Sequence, residues 1–389
     1  MEKIYQHFLP YADAPDPRRV DILDGVRALC VFLVGWYHIW QQGWLSPHFT
    51  VGGQVISLDF LLRSGYLWVD GLMLLSALCL YLPYASGSKD TAIWPFYKRR
   101  LIRIVPSYLL CIVPLFILAM VRGQYPSLQA ALLDLGAHLT FTHTFFPAAY
   151  QQTLLNGALW TLAIEMQFYL LFPFLARAFR RFPVCTWCAM TGGAFLYRFL
   201  VSPLPDTSMY INQLPAFLDV YANGFLTAAI LVALQKKLGK SDRKIRLFFT
   251  VGFIICVCQL MLIARGQAAE NGYDAIRLGQ LNRRFPLSAT LCCAILCAAF
   301  GLPALRYLLG NPVMRVLSAV SFQFYIYHQL LAVKLKEWHF PPSLSDAPWM
   351  AGDYGWQMRY TLLCFVLAFT VACLVTYLFE RPIARRLRR

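Results

Sequence analysis

The apolar residues of this chain fall in long runs, from DGVRALCVFLVGWYHIW near one terminus to TLLCFVLAFTVACLVTYLF near the other. A helix on the surface of a soluble domain is apolar along one stripe only, whereas a run of about 18 or more apolar residues matches the hydrocarbon thickness of a bilayer. Ten such runs predict helices at 25–42, 66–84, 104–121, 158–176, 183–200, 214–234, 247–264, 285–302, 317–334 and 360–379. The expected fold is all-α, a polytopic membrane helix bundle of about ten transmembrane helices. Between the third and fourth runs, SLQAALLDLGAHLTF has the spacing of a helix lying on the outer surface. The first twenty residues are polar and hold three prolines, so insertion is expected to be driven by the first spanning helix rather than a removable leader.

Composition agrees. Hydrophobic residues make up 59% of the 389 residues and charged ones 14%, against about a quarter charged in soluble domains; the mean hydropathy is +0.52. A formal charge of +16 raises the question of nucleic acid, and its distribution answers it. With the first residues inside, 24 of the 35 Lys and Arg fall in inner segments and 10 in outer ones, with Arg27 at a boundary. This is the positive-inside pattern, so both termini are expected in the cytoplasm and no nucleic acid is implied. The outer loop from Arg265 to Arg284 runs against the pattern with four arginines. The inner loop QKKLGKSDRKIR is expected to anchor on anionic headgroups. Three segments follow: a cytoplasmic N-terminal stretch 1–24, a transmembrane domain 25–380 and a basic cytoplasmic tail 381–389. Most of the 12 cysteines fall in the runs, where buried thiols pack as small hydrophobes. Cys185 and Cys188 form a lone C-x-x-C without a second ligand pair, which favours packing over a metal site.

Ionisable residues inside the runs need a reason, because each costs about 2.5–3.5 kcal/mol at mid-membrane. Asp24, Arg27 and His38 belong to the first run, Asp70 to the second, Glu165 to the fourth and His328 to the ninth. Arg27 and His38 are eleven positions apart, about 20° beyond three full turns, so they share a helix face with roughly 16 Å of rise between them. Asp24 lies about 40° from His38 on that face. A stripe with a charged mouth below and an imidazole above suggests a ligand channel, although a lone membrane histidine is more often structural. Ahead of the third run, FYKRRLIRIVPSYL places Arg100 and Arg103 three apart with Lys98 and Arg99 beside them. Guanidinium forks suit phosphate, and a phosphate site beside such a channel fits coenzyme A, with its thioester carried inward on a flexible arm. Glu165, with Tyr169 one turn on, has three open roles: orienting His38, binding sugar hydroxyls or pairing with an arginine.

At these same residues the chain resembles the bacterial acyltransferase-3 family of integral-membrane O-acyltransferases, from about Arg18 to Pro382. Asp24-Gly25-x-Arg27 through His38 matches the family's opening motif. Val69-Asp70-Gly71 to Leu75-Ser76-Ala77 matches its second, with Ala77 in place of a glycine. Arg100, Arg103 and Pro106 match the Arg-x-x-Arg before a proline. Leu159-Trp160-Thr161-Leu162, Glu165, Phe168 and Tyr169 match the fourth motif, with Thr161 for a serine. Ser321, Tyr325 and His328 match a late Ser…Tyr…His signature, and Glu380 and Pro382 the closing Glu-x-Pro.

The resemblance implies transfer of acetyl or related acyl groups to extracytoplasmic carbohydrates, with acyl-CoA as co-substrate and no permanently bound cofactor or metal. On that reading Arg27, Arg100 and Arg103 hold the coenzyme A phosphates. His38 serves as general base or as a covalent acyl carrier, and Glu165 sets its tautomer or positions the acceptor. Asp24 is expected to organise Arg27, Asp70 to pair within the bundle, and Tyr169 and His328 to support the site. His138, His143, Asn156 and the Arg277 to Arg284 cluster are candidate acceptor contacts. A glycan or lipid-linked-sugar transporter and a sensor or scaffold are the competing classes; no interrupted helix pairs of an inverted-repeat transporter are evident.

Overall fold

The computed structural model describes residues 20–87, 92–238 and 242–388. Most of the 1–24 segment, Arg18 included, the middle of QKKLGKSDRKIR and the last residue of the tail lie outside the described residues. Among those described, ten helices are long and apolar enough to cross a membrane. The spanning elements are α1 (Ile22–Gly43), α2 (Trp68–Ala85), α3 (Ile93–Val121), α5 (Trp160–Arg181), α6 (Pro183–Val201), α7 (Leu218–Leu238), α8 (Arg243–Ala268), α9 (Tyr273–Phe300), α11 (Pro312–Glu337) and α12 (Tyr354–Leu374). The shorter helices include α4 (Leu128–Leu139), α10 (Pro303–Gly310) and α13 (Arg381–Arg388), the last joined to α12 by a π-helical turn. A small antiparallel hairpin, β1 (His48–Val51) and β2 (Gln54–Ser57), turns on Gly52 and Gly53, both with positive φ. That is the backbone a two-residue hairpin loop needs and glycine supplies.

Two pairings carry the centre of the bundle, α2 with α7 and α1 with α11. The first depends on Gly224, where a Cβ would stand 2.6 Å from both Ala77 Cβ and the Leu74 carbonyl. The methyl group of Ala77 sits at this close contact, and the glycine facing it makes room. In the second, Gly35 lets the ring of Phe324 approach to 2.5 Å of where a Cβ would be.

The arginine-rich stretch after Arg265 is a tight hairpin of two helices rather than a loop. α9 begins twelve residues before the expected 285, and its arginines are tolerated there because each is paired. Arg277 bonds Asp206 at 2.7 Å and covers the Tyr273 ring, and Arg283 reaches Glu270 at 2.6 Å and Gln267 at 2.8 Å. Arg284 is fully buried, 3.2 Å from Asp70, and also donates to the Ile211 carbonyl. Asp70 thus pairs within the bundle, as expected. Beside it a second buried pair, Arg198–Asp219, shares the Ala216 carbonyl with Arg284. Two cations and two anions close this network, tying α2, α6, α7 and α9 together without a net buried charge.

Helix α4 is capped by Ser127, whose hydroxyl accepts the Ala130 amide at 3.1 Å. Its leucines 128, 132, 133 and 139 are exposed, and its polar stripe, Asp134 and His138, faces the protein. The cysteines depart from expectation. Cys30, Cys111 and Cys364 are buried, but Cys185, Cys188, Cys258 and Cys293 lie on outward helix faces. Such faces meet lipid, so an apolar run does not by itself distinguish core from lipid contact. The C-x-x-C is on such a face and does not pack in the core.

Candidate active site

Helices α1, α2, α3, α5 and α11 enclose a cavity of about 370 Å³. Arg27, Arg100 and Arg103 line it together with Glu165, Tyr169 and Ser76. Lys98 and Arg99, immediately before Arg100, do not, because the helical repeat turns them outward. Arg100 runs between aromatic rings, its guanidinium carbon 5.6 Å from the centroids of both Phe96 and Tyr169. Its buried Nε has no hydrogen-bond partner among the described residues. Arg27 reaches Cys79 Sγ at 3.4 Å. Asp24 accepts from Ser318 Oγ at 2.9 Å, and its charge acts on Arg27.

Glu165 is held by two hydroxyls, Ser76 Oγ at 2.8 Å and the phenol of Tyr169. It belongs to the arginine-lined cavity and is not the partner of His38. That partner is His328: His38 Nδ1 and His328 Nε2 are 2.8 Å apart. The other ring nitrogen of His328, Nδ1, is 3.1 Å from the Phe324 carbonyl, which can only accept. His328 Nδ1 therefore carries the proton, and with both rings neutral its Nε2 accepts from His38 Nδ1–H. This leaves the lone pair of His38 on Nε2. Packing fixes His328: it is wholly buried, stacked at 8° on the Phe324 ring 5.6 Å away.

His38 and His328 do not line the cavity. Its wall on α1 runs through Arg27 and Val31 and stops there, with the fully buried Val34 one turn higher and His38 another turn on. From Val31 to His38 is about 10 Å of helix rise. Tyr325 spans the gap on the other side. It lines the cavity, and its ring centroid is 5.5 Å from that of His328. The basic mouth and the imidazole share a helix face, as the spacing requires, but in this conformation the cavity closes below the imidazole pair.

The candidate acceptor contacts fare differently. His138 and His143 are buried, with stacked rings 4.1 Å apart at 2°. His138 Nδ1 bonds the Asp134 carbonyl at 2.8 Å and faces its carboxylate at 3.1 Å. Burial, with help from the adjacent His138, pushes His143 down to about 3. Burial works against the Asp134 charge, but bonds from His138, Tyr125 and Thr153 outweigh it and hold the carboxyl below its usual range. This cluster packs the 122–157 connection onto the bundle, so neither histidine offers a surface to an acceptor. Asn156 is a cap: its Oδ1 accepts the Ala158 amide at 3.1 Å, and its Nδ2 donates to the Ile326 carbonyl at 2.8 Å. Arg284 is sealed in the core, and Arg277 and Arg283 are engaged in ion pairs.

The pairing of His38 with His328 joins residues 290 positions apart, and no local spacing announces it. Ser76, Thr161, Ser321 and Tyr325, quoted above only as motif members, supply hydroxyls to the cavity wall.

Comparison with known proteins agrees with this architecture. The family described as an acyltransferase domain matches residues 20–378. The chain is similar to the O-acetyltransferase OatA of Staphylococcus aureus, with 32% identity over 167 residues for strains NCTC 8325 / PS 47, COL and MRSA252 alike. The match covers 40% of this chain and 24% of those relatives. No solved structure matches the chain. With a family match over nearly its whole length and ten helices able to span a membrane, the chain belongs to the acyltransferase-3 family.

Proposed function

We propose that this protein is a membrane-embedded O-acyltransferase that moves an acetyl group from cytosolic acetyl-CoA to a hydroxyl of an extracytoplasmic carbohydrate. The observation that carries the reading is an imidazole pair set on the same helix face as an arginine-lined cavity. Arg27, Arg100 and Arg103 hold the coenzyme A phosphates, and the pantetheine arm lies in the cavity beside Ser76, Tyr169 and Tyr325. The reaction requires the closure at Val34 and Tyr325 to open so that the thioester reaches His38. His38 Nε2 removes the proton of the acceptor hydroxyl as its oxygen attacks the thioester carbonyl. The C–S bond then breaks, and the thiolate takes the proton back from His38. His328 fixes the tautomer that leaves Nε2 basic.

The arrangement of Lys and Arg supports a bacterial cytoplasmic membrane location with the basic ends inside. The N-terminal segment to residue 24 and the tail from residue 381 would then flank the acyltransferase domain on the cytoplasmic side. Purified protein in detergent tests the reaction. It should consume acetyl-CoA when oligosaccharides from the source strain's surface glycan are added and release one coenzyme A per acetyl ester formed. A protein that binds these oligosaccharides but leaves the thioester intact would instead be a carrier or transporter.

A further inference from the structure

A second pocket lies above the imidazole pair, at the end of the bundle opposite the arginines. It measures about 200 Å³ and is formed by the end of α11 and the connection to α12. Lys336, His339, Ser343, Asp346, Trp349 and Trp356 contribute to its wall. Lys336 is held over the Trp349 ring, its ammonium 4.1 Å from the centroid. Trp356 is fixed from below, stacked on Tyr360 with centroids 4.8 Å apart, and its indole donates to the Pro341 carbonyl at 2.8 Å.

The position of this pocket follows from the helical repeat. On α11, Ala332 and Leu335 continue the face that carries His328, and Lys336 follows about 12 Å of rise above it. Ala332 and Leu335 pack with Ile39, next to His38, and with Trp356. One apolar cluster is therefore both the roof of the imidazole pair and the floor of the pocket. Another opening at this end, beside Arg122 and Gln124, uses Gln329 and Val333, which point to the other side of α11. It is out of line with His328.

We infer that the pocket over the α11–α12 connection is a subsite for one saccharide unit of the acceptor, next to the unit that receives the acyl group. Half-buried Trp349, above the buried Trp356, offers apolar surface to a pyranose ring. A carboxylate, an ammonium and hydroxyls at the rim match its hydroxyl groups. The inference rests on the reaction proposed above and names where that acceptor is gripped. Lys336 and Asp346 set which saccharide is accepted.

The test uses the purified full chain in detergent, titrated with de-O-acetylated oligosaccharides from the source strain's surface glycan and followed by tryptophan fluorescence. A saturable change is expected. Asp346→Ala and Lys336→Gln should each weaken it about tenfold or more, the loss of a charge-assisted hydrogen bond. The KM for the oligosaccharide should rise by the same factor while the KM for acetyl-CoA stays. Asp346 is exposed, so its replacement leaves the packing alone. Variants that titrate as the wild type does, or turnover without any saturable change, would overturn the subsite and leave the reaction standing. Saturable, Asp346-dependent binding without turnover would overturn the reaction and keep the subsite.

Discussion

On the proposed mechanism, replacing His328 separates the orientation of the base from the base itself. In His328→Ala, His38 Nδ1 loses the acceptor 2.8 Å away that holds its proton, and both the tautomer and the ring angle become free. One such bond has a net worth of about 0.5–1.5 kcal/mol, or up to roughly tenfold in rate. Loss of the tautomer bias adds a further factor, because part of the population then presents N–H where the lone pair is needed. A fall in kcat of about 10–100-fold follows, smaller than the roughly 100–10,000-fold loss expected on removing a general base. His328 does not line the arginine cavity, so the KM for acetyl-CoA should hold. His328→Gln can still accept the Nδ1 proton and should recover part of kcat. The assay is steady-state coenzyme A release by detergent-purified variants of matched thermal stability, varying each substrate in turn. An unchanged kcat, or a raised acetyl-CoA KM with kcat intact, would refute the orientation argument.

Three other consequences can be measured as shifts in thermal unfolding. Asp70→Ala leaves the Arg284 charge buried without its carboxylate and should cost about 3–5 kcal/mol, whereas Asp70→Leu with Arg284→Met, which removes both charges, should recover most of the loss. Gly224→Ala drives a methyl group against the Leu74 carbonyl at 2.6 Å and should cost about 1–3 kcal/mol. Adding Ala77→Gly should rescue it only in part, because the carbonyl remains. The buried His143 titrates at about 3, so between the unfolded value near 6.5 and that point the unfolded chain binds the extra proton and stability falls as pH falls. About 2 kcal/mol should be lost between pH 7 and pH 5; His143→Gln should flatten that slope, and an equal slope in both proteins would contradict the assignment.

The membrane architecture was legible because it rests on long apolar runs, a signal that survives without tertiary information. The edges of those runs were not. α9 extends over an arginine-rich stretch whose charges are neutralised by Asp206, Glu270 and Asp70, partners far away in sequence. The stripe from Arg27 to His38 and the shared face of Arg100 and Arg103 were legible from the helical repeat alone, whereas Lys98 and Arg99, expected beside that pair, are exposed and do not line the cavity. What the repeat does not encode is which helix packs against that stripe. Orienting His38 was one of three roles open to Glu165, yet α5 places it against Ser76 and Tyr169, while α11 brings His328 instead. His138, His143 and Asn156 misled for a related reason. Polar residues in an outer connection suggest ligand contacts, but these serve to satisfy buried backbone groups and to pack α4 and the start of α5.

The division of labour between an arginine cavity and an imidazole is tested most directly by His38→Ala, with acetyl-CoA affinity and acetyl transfer measured on the same purified sample. The affinity should stay at the wild-type value while transfer falls about 100–10,000-fold. Transfer at the native rate would contradict the account.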